Sequence, residues 1–464
     1  MRRVLIANRG EIAVRVARAC FDEGLESVVA VSAADVDSLA AQVADRSVVV
    51  GPAQATESYL SVDRMLAAAK GTGCDALHPG YGFLSERPEL GEACAEEGIA
   101  FVGPPAAVMR RAGDKLSARE VAAAVGIPTG SGSDQLDEPA AAIAAAERSG
   151  YPLMLKASAG GGGRGMVIVA APEDLERRFQ TARAEALQAF GDGRLYLERY
   201  VARARHVEVQ VLADTRGNVV HLGERDCSCQ RRNQKLIEEA PAVGLDPSLV
   251  EEVRAAAVRL AVELEYVGAG TVEFLVDTER GDFVFLEVNA RVQVEHPVTE
   301  AVTGVDIVRE QLRIAAGREL SIAQEDVRLR GHAIECRINA EDPRNGFMPS
   351  PGTLTRWAPP ASSGIRVDTH CQPGYTIAPY YDSLLAKAIA LAPDRAAALE
   401  LIRRGLERFR IEGVETTVPL LRDVVADEAF AGSPVTTRWL EEQFLADWVQ
   451  ASPGGPLTTA DPTR

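Results

Sequence analysis

The segment 283–300, FVFLEVNARVQVEHPVTE, carries alternating polar side chains that could bind a metal ion and an anion. Every second residue is polar, in the series Glu287, Asn289, Arg291, Gln293 and Glu295. Successive side chains of a strand point to opposite faces, so an extended chain would place all five on one face. The same alternation is typical of an ordinary half-buried strand with a solvated outer face.

Two carboxylates in this part of the sequence follow apolar residues. Glu287 comes directly after the apolar run 283–286, and Glu273 lies inside the apolar run TVEFLV. Buried carboxylates are rare unless they are paired or bind a metal. Together with Asn289, these acids would form a hard oxygen site suited to Mg²⁺.

The composition is that of a soluble globular protein with room for about two to four domains. The chain has 464 residues, of which 46% are hydrophobic and 25% charged, and a net charge of -17. Such a charge argues against binding to nucleic acid or to an anionic membrane. No apolar run approaches the ~20 residues of a membrane span, and MRRVLIANRGE is typical of a first buried strand. Seven scattered cysteines indicate a reducing, cytoplasmic location.

The first elements predict a parallel sheet covered by helices. A strand at 3–7, a helix to about Gly24 and a strand at 27–32 form a βαβ unit. The first turn, ANRGE, lacks the G-x-G-x-x-G pattern, so the fold is Rossmann-like without the dinucleotide fingerprint.

A glycine-rich loop joins two further strands, YPLMLKAS and MVIVA. Its glycines at 160, 162 and 165 fit G-x-G-x-x-G, but the Rossmann and P-loop versions require a following helix and are excluded. A glycine loop between strands can cover phosphates as a mobile lid. The alternative is a flexible hairpin tip without a ligand.

Two further loops each allow two interpretations, and two later segments predict structural boundaries. HPGYGFLSE (78–86) is either a packed turn or a site loop, and QRRNQK (230–235) is either a solvated loop or an anion site. Asp246 and Pro247 predict the start of a helix that Gly268 ends. Beyond about residue 330 the chain is rich in short β segments, and Arg337 lies in an apolar strand where its charge needs a partner.

Taken together and in order, these motifs resemble those of the biotin carboxylase family of ATP-grasp enzymes. The resemblance covers residues 1–445 and is carried by ANRGEIAVR, HPGYGFLSE, GDK, KASAGGGGRGM, RHVEVQVL, DCSCQRRNQK, GTVEFLV, LEVNARVQVEHPVTE, ECRINAEDP and PYYDS. It implies an α/β fold (α+β overall) with a Rossmann-like N-terminal domain at 1–112. An ATP-grasp domain at 113–320 follows, with a mobile glycine-loop lid at about 131–202. A β-rich biotin carboxylase C-terminal domain at 330–446 and a disordered tail at 450–464 complete the expected architecture.

The resemblance also implies roles for individual residues. The ATP-binding set is Lys115, Lys156, Gly160, Gly161, Gly162, Gly163, Arg164, Gly165, Met166, Glu198, Arg199, Val201, His206, Gln230, Asn233, Glu273 and Glu287. The metal ligands are Glu273, Glu287 and Asn289. The bicarbonate pocket is Lys235, Arg291, Gln293, Val294 and Glu295. The biotin contacts are Tyr81 and Arg337, and the catalytic residues are Glu295, Arg337, Arg291 and Lys235.

The implied reaction carboxylates biotin with ATP and bicarbonate through carboxyphosphate, giving ADP, phosphate and N1-carboxybiotin. It needs two Mg²⁺ ions, with Mn²⁺ as the alternative. No E-A-M-K-M biotinylation sequence and no carboxyltransferase-length region occur. The expected partners are therefore a separate biotin carboxyl carrier protein and a carboxyltransferase, in an acyl-CoA carboxylase of the acetyl-CoA type used in fatty acid biosynthesis. A homodimer is also expected, with Arg15 and Arg18 near its surface.

Two features of the sequence refine this expectation. A straight strand would separate residues 287 and 295 by ~26 Å at 3.3 Å per residue. One reaction centre needs both, so we expect the strand to end near Asn289 or Arg291 and the chain to continue as a loop around the site. The sequence also departs from the family pattern at Asn233 (commonly His), Arg199 (commonly Lys) and Ala290. The alternatives are another ATP-grasp ligase and a non-catalytic nucleotide-binding protein.

Overall fold

The structure, a computed structural model, describes residues 1–130, 136, 138–158, 165–360 and 364–451. The expected phosphate-covering residues 160–164 and tail residues 452–464 lie outside this range. Residues 450 and 451, at the start of the expected tail, belong to the last helix.

The N-terminal part is a parallel sheet between helices. Its elements are β1 (Arg3–Ile6), α1 (Gly10–Asp22), β2 (Glu26–Ser32), α2 (Leu39–Val43), β3 (Arg46–Gly51), α3 (Val62–Thr72), β4 (Ala76–His78), α4 (Pro88–Glu96), β5 (Ala100–Phe101) and α5 (Ala106–Gly113). The strand order is β3-β2-β1-β4-β5, and the pairs are parallel. The strands β1, β2 and β4 are buried on both faces, which is why they show continuous rather than alternating hydrophobicity. The predicted Rossmann-like opening is confirmed.

The central part begins with helices and a small antiparallel sheet. Its elements are α6 (Lys115–Ala124), α7 (Pro139–Ser149), β6 (Leu153–Ala157), β7 (Met166–Val169), α8 (Pro172–Phe190) and β8 (Leu195–Arg199). The strand order β7-β6-β8 places the two strands flanking the glycine loop side by side, as the sequence predicted. At Gly165 a Cβ would lie 2.8 Å from the Cβ of Ala157, and φ is +75°. Glycine is therefore required where the loop re-enters the sheet.

A long antiparallel sheet joins the central and C-terminal parts. The central elements that follow are β9 (Ala204–Ala213), β10 (Val219–Arg231), β11 (Gln234–Ala240), α9 (Pro247–Glu263), β12 (Gly268–Asp277), β13 (Asp282–Asn289), α10 (His296–Thr303) and α11 (Ile307–Ala315). The C-terminal elements are β14 (His332–Asn339), β15 (Glu341–Asp342), β16 (Met348–Pro349), β17 (Gly352–Thr353), β18 (Arg356–Ala358), β19 (Ile365–Thr369), β20 (Thr376–Ile377), β21 (Leu384–Ala392), α12 (Arg395–Arg408), β22 (Arg410–Glu412), α13 (Val418–Ala426), α14 (Glu428–Gly432) and α15 (Leu445–Ala451). The strand order is β13-β12-β9-β10-β11-β14-β21-β19. The pairing of β11 with β14 therefore crosses the expected boundary between the two parts.

The segment 283–300 has the predicted shape. β13 ends at Asn289, a loop follows, and α10 begins at His296 with Glu295 at its N-cap position. The helix itself was not predicted. None of the helices among the described residues is long and apolar enough to cross a membrane.

One predicted helix boundary is confirmed and one is wrong. The Asp246 side chain caps α9 by accepting a hydrogen bond from the Ser248 amide at 2.8 Å. The helix ends at Glu263, however, and Gly268 is instead the first residue of β12. Glu265, at φ +52°, already has the left-handed backbone that was expected of the glycine.

Candidate active site

A cleft of about 1090 Å³ lies between the N-terminal loops, the small sheet and the long sheet. Most of the expected site residues line it. They are Tyr81, Lys115, Lys156, Met166, Glu198, Arg199, Val201, His206, Gln230, Asn233, Lys235, Glu273, Glu287, Asn289, Arg291, Gln293, Val294, Glu295 and Arg337. Gly165 lies outside this lining, and residues 160–164 lie outside the described residues.

Lys235 is the central cation of the cleft. Its Nζ donates hydrogen bonds to Glu208 at 2.5 Å, to Glu273 at 2.9 Å and to Glu295 at 2.6 Å. Burial alone would lower the pKa of Lys235, but the three carboxylates more than offset it, so the pKa is raised well above its ordinary value. The lysine is therefore a permanent positive charge at the point where three strands and a loop meet.

Glu295 lies between two cations. Its Oε1 accepts from Lys235, and its Oε2 accepts from Arg337 Nη2 at 2.9 Å. Burial raises the pKa of this carboxyl, but the positive charges of Lys235, Arg337 and Arg225 lower it by more than burial raises it. The net pKa of Glu295 is therefore well below its ordinary value. Glu295 is therefore ionised at neutral pH and able to accept a proton.

The expected metal ligands lie on paired strands. Glu273 on β12 is in register with Glu287 on β13, so both carboxylates are on one face of the sheet. Glu273 Oε1 accepts from Asn289 and Gln293, and Glu273 Oε2 lies 2.8 Å from His206 Nε2. Glu287 is partly exposed to the cleft, with Lys115 Nζ at 3.7 Å.

This donor set fits a hard divalent cation. Two carboxylates and an amide oxygen are the ligands that Mg²⁺ and Mn²⁺ prefer. Glu287 faces open space, whereas the oxygens of Glu273 already accept from Lys235, His206, Asn289 and Gln293. Ion binding would therefore rearrange the hydrogen bonds of Glu273 and those of Asn289, whose Oδ1 accepts from Arg291.

Arg291 lies at the wall of the cleft, held from two sides. Its Nε donates to Glu86 at 2.9 Å, and its Nη2 donates to Asn289 Oδ1 at 2.8 Å. Beside it, the Val294 carbonyl accepts from the buried Lys387 at 2.8 Å. The loop 290–295 is thus fixed by charged groups from other parts of the chain.

The part of the cleft expected to bind the nucleotide contains further ion pairs. Lys156 and Arg119 both contact the Glu198 carboxylate. Arg199 forms a fork with Asp282, with nitrogen–oxygen distances of 3.1 and 2.9 Å, so its side chain connects β8 to the first residue of β13. Gln230 Nε2 lies 3.5 Å from His206 Nδ1.

Asn233 occupies a tight turn rather than a long loop. Arg232 and Asn233, at φ +46° and +63°, form the two-residue connection between β10 and β11. Asparagine is among the residues that tolerate left-handed backbone, so the departure from histidine keeps the hairpin. The QRRNQK segment is therefore mostly strand, and its last residue, Lys235, points into the cleft.

Two side chains that were expected to contact other molecules, Tyr81 and Arg15, form hydrogen bonds within the chain instead. The Tyr81 hydroxyl donates to the buried Glu11 carboxylate, so its ring, not its hydroxyl, is available on the cleft side. Arg15 is buried and donates to Glu300 at 2.8 Å and to Asp306, while Arg18 is exposed. Of the two arginines expected near a dimer surface, only Arg18 is available to a partner.

Several buried site residues were not singled out from the sequence. Glu208 binds Lys235, and Glu238 accepts from Arg337 Nε at 2.5 Å. Arg225, which is fully buried, orients Glu208 and Gln293. The run HVEVQVL carried a usable signal, because His206, Glu208 and Gln210 share one parity in an otherwise apolar strand.

Comparisons with known proteins agree with this arrangement. The biotin carboxylase N-terminal domain model matches residues 1–109, the carbamoyl-phosphate synthase L chain ATP-binding domain model matches 114–323, and the biotin carboxylase C-terminal domain model matches 335–442.

Relatives and solved structures match over nearly the whole chain. Biotin carboxylase of Pseudomonas aeruginosa is 49% identical, over 96% of this chain and 99% of the relative. The 2-oxoglutarate carboxylase small subunit of Hydrogenobacter thermophilus is 48% identical, over 95% of this chain and 93% of the relative. The biotin carboxylase domain dimer of the 2-oxoglutarate carboxylase from the same organism, solved with MgADP, ADP and bicarbonate, superposes with a TM-score of 0.90 at 48% identity, over 95% of this chain and 97% of that one. The chain therefore belongs to the biotin carboxylase family and is an ATP-dependent ligase.

Proposed function

We propose that this protein carboxylates biotin carried by a carrier protein, using ATP and bicarbonate, through the residues of the 1090 Å³ cleft. The observation that carries the proposal is the chain of contacts from Glu273 through Lys235 and Glu295 to Arg337. It connects the expected metal ligands, the expected base and the expected biotin contact within one buried network.

The bicarbonate pocket is formed by cations around Glu295. Bicarbonate is planar and anionic, which matches the guanidinium fork of Arg291 and the ammonium of Lys235. An anion placed there would share Lys235 with Glu295. This weakens the ion pair that keeps the pKa of Glu295 low, so the carboxylate becomes a stronger base when its substrate binds.

The first step is attack of bicarbonate on ATP. Glu295 accepts the hydroxyl proton of bicarbonate, a bicarbonate oxygen bonds to the γ-phosphorus, and the bond to the leaving ADP breaks. Lys115 and Lys156 neutralise the phosphate charges that would otherwise repel the nucleophile. Glu273, Glu287 and Asn289 would hold Mg²⁺, which when bound supplies further neutralisation of the phosphates.

The second step transfers carbon dioxide to biotin. Carboxyphosphate breaks into carbon dioxide and phosphate, and phosphate takes the proton from the ureido N1. The N1 electron pair then bonds to the carbon of carbon dioxide. Arg337 stabilises the negative charge that develops on the ureido oxygen, because its guanidinium is held in place by Glu238 and Glu295.

Hydrolysis of ATP by the purified protein tests this function. We expect hydrolysis that requires bicarbonate and Mg²⁺ and that rises when free biotin is added. Hydrolysis without bicarbonate dependence would favour another ATP-grasp ligase, and nucleotide binding without turnover would favour a non-catalytic subunit.

For the final acceptor, we propose an acetyl-CoA type of acyl-CoA carboxylase. The support is the 49% identity to a biotin carboxylase over 99% of that relative's length. Relatives from pyruvate and 2-oxoglutarate carboxylases are 46% and 48% identical, so the acceptor needs its own experiment. The biotinylated protein and carboxyltransferase that co-purify with this chain should carboxylate acetyl-CoA in preference to pyruvate or 2-oxoglutarate.

We also propose that the protein forms a homodimer. The support is the exposed surface of α1 at Arg18 and Phe21, whose side chain is 82% exposed. Light scattering should give twice the mass of the chain, and Phe21→Asp should shift the protein towards the monomer.

A further inference from the structure

Two buried glutamates, Glu238 and Glu335, lie side by side beneath Arg337, and the proposed reaction gives no role to the second of them. Glu238 on β11 is in register with Glu335 on β14, and both are fully buried. Side chains directly opposed across an antiparallel pair lie about 5 Å apart at Cβ and on the same face. Two ionised carboxylates at this separation would repel each other strongly, since the surroundings have a low dielectric constant.

The hydrogen bonds of the pair are incomplete if both groups are carboxylates. Glu238 Oε1 accepts from Arg337 Nε, but among the described residues Glu238 Oε2 and both oxygens of Glu335 have no hydrogen-bond partner. An unpaired buried carboxylate is costly, whereas a protonated acid could donate its O–H to the neighbouring Oε2.

Among the described residues, no cation forms an ion pair with Glu335. Lys387 is the nearest cation on β21, but its Nζ already lies 3.0 Å from Glu11 and donates to the Val294 carbonyl at 2.8 Å. The charged and titratable groups around the pair are Lys235 and Arg337 on its own strands, Lys387 on β21, Asp368 on β19, Glu295 and His296 at the start of α10, Glu11 on α1, and the thiols Cys227, Cys229 and Cys336. Burial raises the pKa of Glu238 to about 7 and that of Glu335 well above its ordinary value.

We propose that Glu335 is a protonated acid that shares its proton with Glu238, and that this carboxyl pair positions Arg337 for the ureido oxygen of biotin. The role in biotin carboxylation rests on the proposed function above. With one proton the pair carries a single negative charge, which holds Arg337 Nε and leaves Nη2 facing Glu295 and the cleft. Without that proton, the Glu335 carboxylate would draw the guanidinium away from the cleft.

Infrared spectroscopy tests the shared proton without measuring activity. We expect a protonated-carboxyl C=O band in the wild-type protein at neutral pH that shifts in D₂O and is absent from Glu335→Gln. Its absence from the wild type would overturn the inference, so the result does not depend on the folding of a variant. A wild-type band that persists in a folded Glu335→Gln protein would also overturn it.

Kinetics tests the positioning role. Glu238→Gln should raise KM for biotin and lower kcat/KM for biotin about tenfold or more, because Arg337 loses a charged hydrogen-bond partner. Glu335→Gln mimics the protonated acid, so its biotin-dependent turnover should fall less at alkaline pH than that of the wild type. Coinciding pH profiles, or an unchanged kcat/KM in Glu238→Gln, would contradict the inference.

A control is available on the same strand. Glu239 points to the opposite face of β11 and binds His332 and Arg395. Glu239→Gln should leave the infrared band and the shape of the biotin pH profile unchanged. Failure of the proposed function would be recognised separately, as absence of biotin-stimulated hydrolysis in the wild type.

Discussion

At the scale of single residues, Lys235 is the group whose loss has the largest expected effect. Lys235→Met would leave Glu208, Glu273 and Glu295 without their shared cation. We expect the free energy of unfolding to fall by about 3–5 kcal/mol and bicarbonate-dependent ATP hydrolysis to fall about 100-fold or more. Thermal melts and initial rates measure both. Lys70→Met is the control, because that lysine pairs with Glu97 on the surface; near-normal turnover in Lys235→Met would remove Lys235 from the anion site.

Glu287 gives a separate test of the expected metal site. Glu287→Lys would place a cation between the phosphates and the ligands Glu273 and Asn289, so turnover should be abolished at every Mg²⁺ concentration tried. The control is Glu279→Lys, on the exposed turn after β12, where the side chain is 62% exposed. A Glu287→Lys protein that still responds to Mg²⁺ would show that the ion binds elsewhere.

How far these residues could be predicted depends on how they differ from their sequence neighbours. Polar residues occupy every second position after an apolar run at Glu287, Asn289 and Glu295. The resemblance to the family motif then implied a role for each of them. Glu238 and Glu335 lie in EEA and IEC, where neither residue carries a local sign of its burial. Their juxtaposition depends on the register of β11 against β14, which no local pattern determines.

At the scale of elements, the fork between Arg199 and Asp282 connects the small sheet to the start of β13. Lysine cannot form this fork, because its ammonium is a single point charge. Arg199→Lys should therefore raise KM for ATP about fivefold, corresponding to about 1 kcal/mol, with kcat little changed. Steady-state kinetics measures it. Arg203→Lys, at a side chain 65% exposed and 3.9 Å from Glu279, should change neither constant.

Some boundaries of strands and helices could be predicted from sequence patterns, and others could not. The end of β13 followed from a distance argument, and β6 and β7 followed from two apolar runs around glycines. The hairpin at Arg232 and Asn233 was missed because this Arg-Asn pair lacks the usual Asn-Gly signal. The end of α9 was misplaced because a non-glycine residue, Glu265, adopts the left-handed conformation.

At the scale of the whole molecule, the sequence predicted successive domains, whereas the structure continues one sheet across two of them. β14 pairs with β11 over four residues, which brings Arg337 next to the network of Lys235. Such a pairing joins residues about 100 positions apart and is set by long-range packing rather than local propensity. The ion pair between Arg15 on α1 and Glu300 on α10 likewise connects the first domain to the centre.

The buried ion pairs predict how stability depends on pH. In five carboxylates burial raises the pKa, but neighbouring cations more than offset it and leave the folded-state pKa below the ordinary value; they are Asp35, Glu239, Glu273, Glu295 and Asp368. Their stabilisation is present above the pKa of the unfolded chain and is lost as pH falls below about 4.5 through the folded values.

The carboxyl pair acts in the opposite direction. The folded-state pKa values of Glu238 and Glu335 are raised above those of the unfolded chain, so the stabilisation from the shared proton is full below about pH 4.5 and is lost as pH rises through the folded-state values. Calorimetry should therefore show Tm falling by about 10 °C on acidification below about pH 4.5, equally in the wild type and in Glu335→Gln. Above about pH 4.5 the two proteins should diverge, with Tm falling more in the wild type as pH rises, because only the wild-type folded state retains the Glu335 proton that the unfolded chain releases. If the two curves run parallel above about pH 4.5, Glu335 is ionised throughout that range. If the variant differs from the wild type only below that pH, the Glu335 carboxyl stabilises the fold in its ionised form, contrary to the inference.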